Sequence, residues 1–376
     1  MRKPPVVVLS GVRWGFLWQR HQTLAALFDR AGYPTVFVET TGLANPGTSA
    51  LRKIFVRLRG GGSRKGDPDD GPFVYPPLVL PPTFRPFRAA NRRFLLPRVA
   101  RDLRKLVGES PVVVAYPPTR TTLDLLARLH PRLVLYDCAD DYEHFPGVPK
   151  DIAATERQLL ARADLVSCTS KHLLDKARRA RPDAFPSGPA VDYERFAALQ
   201  GHRCATPAQT VCFFGHLGRE RLDFDILRAV RRAGFRVRLV GDAARAEKGF
   251  LEQSDVEYRG EVSHGRLPAA PAGVDAFVLP YKLDGLTRAI SPAKTYECLA
   301  TGRPVVASPL PDLEELSGHV YLKRDPEGFV RALRNLRHTE TDEKVRARVR
   351  LARDNSWEAR FRELEGAILR ALDRRA

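Results

Sequence analysis

The residues best equipped for chemistry in this chain lie in one stretch, Ser291-Pro-Ala-Lys-Thr-Tyr-Glu-Cys-Leu-Ala-Thr-Gly-Arg-Pro-Val-Val-Ala-Ser308. It reads as a short polar loop, a helix carrying a Lys and a Glu, and a Gly-Arg-Pro turn into an apolar strand. A helix N-terminus offers unpaired N–H groups and a partial positive charge, which suit a phosphate. Lys294 in the first turn adds a point charge to the same anion. Glu297, one turn on, accepts hydrogen bonds only and suits a pair of ribose hydroxyls. A diphosphate and a ribose within reach of one helix describe a nucleotide-linked substrate. Ser291 and Thr295 complete this candidate donor set. The plainer alternative is an ordinary helix with an exposed Lys and Glu.

A second constellation is Val211-Cys-Phe-Phe-Gly-His-Leu-Gly-Arg-Glu-Arg221, a strand running into a glycine-spaced loop. Gly215 and Gly218 let backbone approach a ligand closely. Arg219 and Arg221 can neutralise a diphosphate through bidentate contacts, or can be a solvated charged turn. Gly241, after the strand ending at Val240, could admit a nucleotide or could be a turn glycine. Asp275 reads as a cap or turn residue.

The N-terminal half holds an acidic cluster, Tyr136-Asp137-Cys138-Ala139-Asp140-Asp141-Tyr142-Glu143-His144, directly after an apolar strand. Active sites of α/β sheets lie at such strand ends. Asp137, Asp140 and Asp141 could orient acceptor hydroxyls or stabilise an oxocarbenium-like transition state, or could be helix-capping acids. Near the first strand, Gly11-Val-Arg13-Trp14-Gly-Phe-Leu-Trp18-Gln-Arg-His-Gln22 concentrates aromatic rings and planar donors. Such groups suit sugars. Gly11, Arg13, Trp14, Gln22 and His144 are the candidate acceptor contacts. The alternative is that Trp14 and Trp18 staple a helix to the sheet.

The 291–308 stretch closely resembles the donor-binding region of GT-B glycosyltransferases of the large retaining family four, the group 1 enzymes, in a bacterial branch. Their pattern Pro-x-Lys-x-x-Glu-x-x-Ala-x-Gly-x-Pro-Val-Val is matched at Pro292, Lys294, Glu297, Ala300, Gly302, Pro304, Val305 and Val306. The resemblance covers nearly the whole chain, most specifically 211–221 and 291–308. It implies transfer of a sugar from a nucleotide-sugar donor, which is a substrate and not a cofactor. It also implies a basic residue on the donor pyrophosphate, here Arg219, and no metal. Relatives carry a second Glu eight residues before the ribose Glu. Ala289 stands there in this chain and removes an expected contact to the donor sugar, so transfer with retention is implied by the family resemblance alone. A nucleotide-sugar epimerase or hydrolase on the same fold is the alternative reading.

Strand–helix alternation must position these residues. Apolar strands are expected at Val6–Leu9, Thr35–Val38, Val112–Ala115, Leu133–Tyr136 and Leu165–Cys168, and again at Val211–Phe214, Val237–Val240, Val256–Tyr258, Ala276–Leu279 and Pro304–Ala307. Helices are expected between them, the first at Gln22–Ala31. Such alternation predicts α/β architecture with two doubly wound, Rossmann-like halves. A turn-rich linker falls near Pro182–Tyr193. The expected organisation is an acceptor-binding domain over 1–190, a nucleotide-sugar-binding domain over 191–355 and a C-terminal helix over 356–376. The helix presents Phe361, Leu364, Ile368 and Leu372 on one face. In GT-B proteins two such domains face a cleft, and the last helix crosses back to the first domain.

Composition narrows the classes. The 376 residues carry a net charge of +18, and residues 51–106 hold 14 Lys/Arg against 4 Asp/Glu, +10 of that total. This favours an acidic or phosphorylated acceptor and peripheral contact with an anionic membrane through 51–106. An Ala/Arg/Pro-rich composition offers a non-functional origin for part of the charge. In the stretch Arg85–Leu106, Pro97 interrupts the basic amphipathic pattern and weakens the membrane case. A nucleic-acid binder would add a helix-turn-helix, finger, RNP or OB signature, and none accompanies the charge. No apolar run approaches a membrane span, and the five cysteines form no metal spacing. A cytoplasmic protein, peripheral on the inner membrane face, is the expectation. Residues 60–72 read as a mobile low-complexity loop.

Overall fold

The computed structural model describes residues 3–15, 18–39, 71–82, 84–145, 147–201, 208–284, 287 and 291–375. Residues 40–70, with the Gly-rich stretch and part of the basic excess, lie outside the described residues, as do Cys204 and Ala289. The chain forms two compact units. The first comprises Met1–Thr169, Leu173–Ser187 and Phe361–Ala376, and the second Ser170–His172 and Gly188–Arg360.

The first unit is built on seven parallel strands: β1 (Val6–Leu9), β2 (Thr35–Val38), β3 (Phe73–Tyr75), β4 (Val112–Ala115), β5 (Leu133–Cys138), β6 (Leu165–Cys168) and β7 (Phe185–Pro186). Their order is β3-β2-β1-β4-β5-β6-β7. The order reverses between β1 and β4, whose last residues, Leu9 and Ala115, pair directly. β1, β2 and β4 are apolar and fully buried along their length, as parallel strands covered on both faces require. Along the last helix, Trp357–Asp373, Phe361, Leu364, Ile368 and Ala371 are buried. Phe361 meets Phe28 edge to face, 5.0 Å between centroids.

The second unit repeats the design with β8 (Thr210–Phe214), β9 (Arg236–Val240), β10 (Val256–Tyr258), β11 (Ala276–Leu279), β12 (Val305–Ala307) and β13 (Tyr321–Leu322), again all parallel. Their order is β10-β9-β8-β11-β12-β13, so the reversal falls between β8 and β11. Ligands of open α/β sheets bind beyond the carboxyl ends of strands at such a switch point. The loops leaving β8 and β11 are tied together there. Asp223 N–H donates to the Pro280 carbonyl at 2.8 Å, and Lys282 N–H to the Arg221 carbonyl at 2.8 Å. The Asp223 carboxylate then caps the helix Phe224–Arg232, fixing the far end of the loop. Asp275 accepts the N–H groups of Gln209 and Thr210, a turn role as expected.

Three elements differ from expectation. β5 runs through Asp137 and Cys138, which places Asp137 inside the sheet instead of on the following loop. The first helix begins at Arg20, because Gln22 and Gln19 form a reciprocal cap around its start. Pro97 does not break the basic helix. It sits in the first turn of Leu96–Val107, where its missing N–H costs nothing, and a π-turn over Asn91–Leu95 joins it to Arg85–Ala90. No helix among the described residues is long and apolar enough to cross a membrane.

Candidate functional site

The site in the second unit begins with two glycines. Gly215 leaves β8 with φ 129° and Gly241 leaves β9 with φ 130°. A Cβ on Gly241 would overlap the Gly215 carbonyl. Only glycine allows the two loops to lie in contact in this backbone conformation. The loops then run together, with Leu217 N–H on the Asp242 carbonyl at 2.8 Å and Arg219 N–H on the Arg245 carbonyl at 3.1 Å.

Lys294 opens the helix Lys294–Ala300. Its stem fills the space beside Gly215, where an added Cβ would come within 2.8 Å of Cε. Nζ donates to the Tyr281 hydroxyl at 2.8 Å and lies 5.3 Å from the Phe213 ring centroid. Burial works against this ammonium, yet Tyr281 and Glu297 hold its pKa above the usual lysine value. The half-buried Glu297 carboxylate has no hydrogen bond or ion pair among the described residues. Burial pushes it up to about 7, Lys294 draws it down, and Asp192 adds to the rise. A desolvated carboxylate with no acceptor duty among the described residues is a candidate binding position.

The remaining donor candidates divide. The Arg219 and Arg221 side chains are exposed, and neither guanidinium has an ion pair among the described residues. Ser291 hydrogen-bonds Asp312, whose carboxyl is pushed up by burial. Thr295 is fully buried and its hydroxyl has no hydrogen-bond partner among the described residues. The helix itself offers less than its sequence promises. It has seven residues, and the N–H groups of Thr295 and Tyr296 are already bonded to Pro292 and Ala293 carbonyls. The cations beside it are Lys294 and the arginines of the β8 loop.

His216 is the residue that sequence reasoning missed. Its Nδ1 lies 2.9 Å from Asp242 and its Nε2 2.7 Å from Glu220, bridging the β8 and β9 loops over Gly218. Burial opposes ionisation of Glu220, but His216 outweighs it and the carboxyl lies below its usual range. The i, i+4 spacing of His216 and Glu220 was the available signal.

In the first unit the structure commits much of the acidic cluster to internal pairs. Asp137 is fully buried. Arg20 Nε donates to it at 2.6 Å and the Ser167 hydroxyl at 2.7 Å, while Arg20 also reaches Ser187 at 2.6 Å. Asp141 accepts from Lys176 at 2.9 Å and faces His144 Nδ1 at 2.8 Å. Burial raises the Asp141 carboxyl, but Lys176, with the His144 hydrogen bond, outweighs it and the net shift is downward. Asp140 is half-buried on the bend after β5. Trp14 packs edge-on against Trp18 and Phe37, at 5.1 and 5.0 Å, which is the stapling arrangement. Gln22 is fully buried, bonded to the Arg13 carbonyl at 3.1 Å. The Arg13 and His144 side chains are exposed, and Gly11 is half-buried.

A neutral histidine lies at the β1–β4 switch point, unforeseen from sequence. His21 Nδ1 meets the Ser10 hydroxyl at 2.9 Å, and the ring stacks on Tyr116 at 3.5 Å. Burial pushes its pKa down to about 3.

A family model described as glycosyl transferase-like matches residues 219–366. The Bacillus subtilis (strain 168) protein TuaH, named as a teichuronic acid biosynthesis glycosyltransferase, is 26% identical over 265 residues. That match covers 61% of this chain and 65% of TuaH, less than two thirds of the relative's length. Among solved structures, Anabaena HepE in complex with UDP and glucose superposes with a TM-score of 0.62 at 13% identity, over 97% of this chain and 99% of HepE. A Listeria monocytogenes protein described as a UDP-N-acetylglucosamine 2-epimerase gives a TM-score of 0.59 at 11% identity, over 97% of this chain and 96% of its own. With two parallel-sheet α/β units and these neighbours, the chain has the GT-B fold, and over residues 219–366 it is similar to the glycosyl transferase-like family.

Proposed function

We propose that the protein transfers a glycosyl group from a nucleotide-diphosphate sugar to an acidic or phosphorylated acceptor, with retention and without a divalent metal. The observation that carries this reading is Glu297: a half-buried carboxylate without a partner among the described residues, one helical turn from Lys294, at the β8–β11 switch point. In this reading Glu297 accepts the ribose hydroxyls, while Lys294, Arg219 and Arg221 hold the diphosphate. Gly215, Gly218 and Gly241 let Lys294, the His216–Glu220 pair and the β8 and β9 loops close up around the nucleotide, and Ser291 and Thr295 shape the turn. UDP is the first nucleotide to test, because HepE is described with UDP.

As the glycosidic bond to the diphosphate breaks, negative charge grows on the leaving oxygens. In this reading Lys294 and Arg219 stabilise that charge, which is the role a metal would otherwise fill. The first unit supplies the acceptor side, with Asp140 orienting a hydroxyl and Arg13, Trp14, Gly11, Gln22 and His144 forming its surroundings. Asp137 and Asp141 support this loop through Arg20 and Lys176. The protein works on the cytoplasmic side of a membrane surface.

The experiment is incubation of the full chain with UDP-sugars, with and without acidic acceptors, in EDTA. Acceptor-dependent release of UDP with a new glycoside supports the proposal. Complete loss of activity in EDTA, restored by Mg²⁺, contradicts the metal-free part. Recovery of an isomerised sugar in place of a glycoside assigns an epimerase instead.

A further inference from the structure

Three phenylalanines stand exposed within eleven residues of the first unit: Phe84 at 53%, Phe87 at 38% and Phe94 at 62%. Phe84 and Phe87 pack edge to face on one another, 5.4 Å between ring centroids. Large apolar side chains clustered in the open mark an interaction surface. The helix that carries them has an unusual reason for presenting them. In Leu96–Val107 the buried residues are Leu96, Val99, Ala100 and Leu103. Continued backwards at α-helical spacing, that stripe would place Arg92 on the buried face. The π-turn over Asn91–Leu95 puts Asn91 there instead. The Asn91 side chain is pinned by both amide groups to Leu80, accepting from its N–H at 2.8 Å and donating to its carbonyl at 2.7 Å. Arg92, Arg93 and Phe94 are thereby all turned to solvent.

The charge around these rings is one-sided. Arg85, Arg92, Arg93, Arg98, Arg101 and Lys105 are exposed and make no ion pair among the described residues. The neighbouring acids are mostly occupied. Asp151 is held by Arg88 at 2.6 Å, and Asp102 accepts from the Tyr75 hydroxyl at 2.9 Å. Asp124 shares a shallow depression of about 380 Å³ with Arg85, Arg88, Arg92 and Arg120.

We propose that Phe84, Phe87 and Phe94, with Arg85, Arg92 and Arg93, form a docking face for an anionic lipid bilayer. The rings insert at the level of the headgroups while the guanidinium groups pair with lipid phosphates. An acidic protein partner would need the arginines but not three exposed rings. A second copy of this chain would bring the same positive charge against itself. The lipid surface satisfies both features, so it is the occupant. This narrows the membrane reading of the basic segment to one helix and does not depend on the nucleotide site.

The test is co-sedimentation of the full chain with vesicles of phosphatidylglycerol mixed into phosphatidylcholine, against vesicles of phosphatidylcholine alone. Binding to the anionic vesicles is expected, weakened about tenfold or more by Phe84→Ser with Phe94→Ser and likewise by Arg92→Glu with Arg93→Glu. All four positions are exposed, so thermal unfolding should stay unchanged and loss of fold is separately visible. Glu297→Ala should still bind vesicles, which separates failure here from failure of the donor-site reading. No vesicle binding, equal binding to neutral vesicles, or full binding by both double variants overturns the proposal. So does a dimer in lipid-free solution that Phe94→Ser dissociates, since it assigns the face to a second copy.

Discussion

At the scale of single residues, Glu297 sets stability and binding against each other. Its carboxyl lies at about 7 in the folded chain, above the usual carboxylate value. For a raised pKa, the stabilising contribution is complete below the unfolded value and is lost as pH rises through about 7. Glu297→Gln should therefore gain stability over wild type at pH 8 and not at pH 4. The gain expected is about 1–2 kcal/mol after discounting for partial solvent exposure, read from urea unfolding at the two pH values. An unchanged difference between them would show that Glu297 is not desolvated. A ribose pair prefers the ionised acceptor, so uridine affinity of the wild type should fall as pH drops below 7 and stay flat in Glu297→Gln. Asp137 belongs to the opposite class. Asp137→Ala leaves the buried Arg20 guanidinium without its carboxylate, and should cost about 3–5 kcal/mol. A substitution there that lowers turnover without lowering the midpoint of thermal unfolding would return Asp137 to the reacting centre.

At the scale of elements, the glycine pair after β8 and β9 is the point where backbone geometry decides the site. Gly241→Ala combines a left-handed φ with overlap on the Gly215 carbonyl. It should destabilise the second unit by more than about 2 kcal/mol and weaken nucleotide binding with it. Near-normal stability in calorimetry would mean that the two loops can separate freely. Most strands were legible in the sequence, since β1, β2, β4, β6 and β11 are short apolar runs between turn signals. The short edge strands β3, β7 and β13 were not, because two or three residues carry no period. The extension of β5 through Asp137 was hidden for a different reason: an Asp in a strand contradicts local propensity, and Arg20, 117 positions away in the chain, together with Ser167 makes it tolerable. The π-turn was invisible too, since it arises from the bond between Asn91 and Leu80.

At the scale of the whole molecule, the chain is two repeats of one strand order, each reversing at its first strand, and that much followed from strand–helix alternation. The donor candidates Lys294 and Glu297 were readable because they sit four residues or fewer apart on one helix. The bridging role of His216, the neutral His21 against Tyr116 and the closed Arg20–Asp137 pair were not, because each joins residues from different strand ends. Ligand linkage should be visible across the second unit. At a hundred times its dissociation constant a nucleotide diphosphate should stabilise the protein by about 2.7 kcal/mol, and a thermal-shift panel of UDP, GDP and dTDP ranks the bases. No shift with any of the three would leave the switch-point carboxylate without a nucleotide to bind.

Calorimetric titration of UDP into the wild type, Glu297→Ala and Lys294→Ala tests the donor site most directly. Loss of one charge-assisted hydrogen bond costs about 1.5–3 kcal/mol, so each variant should bind roughly ten- to a hundredfold more weakly with its fold intact. Measurable wild-type binding that neither substitution changes would contradict the donor site at the β8–β11 switch point.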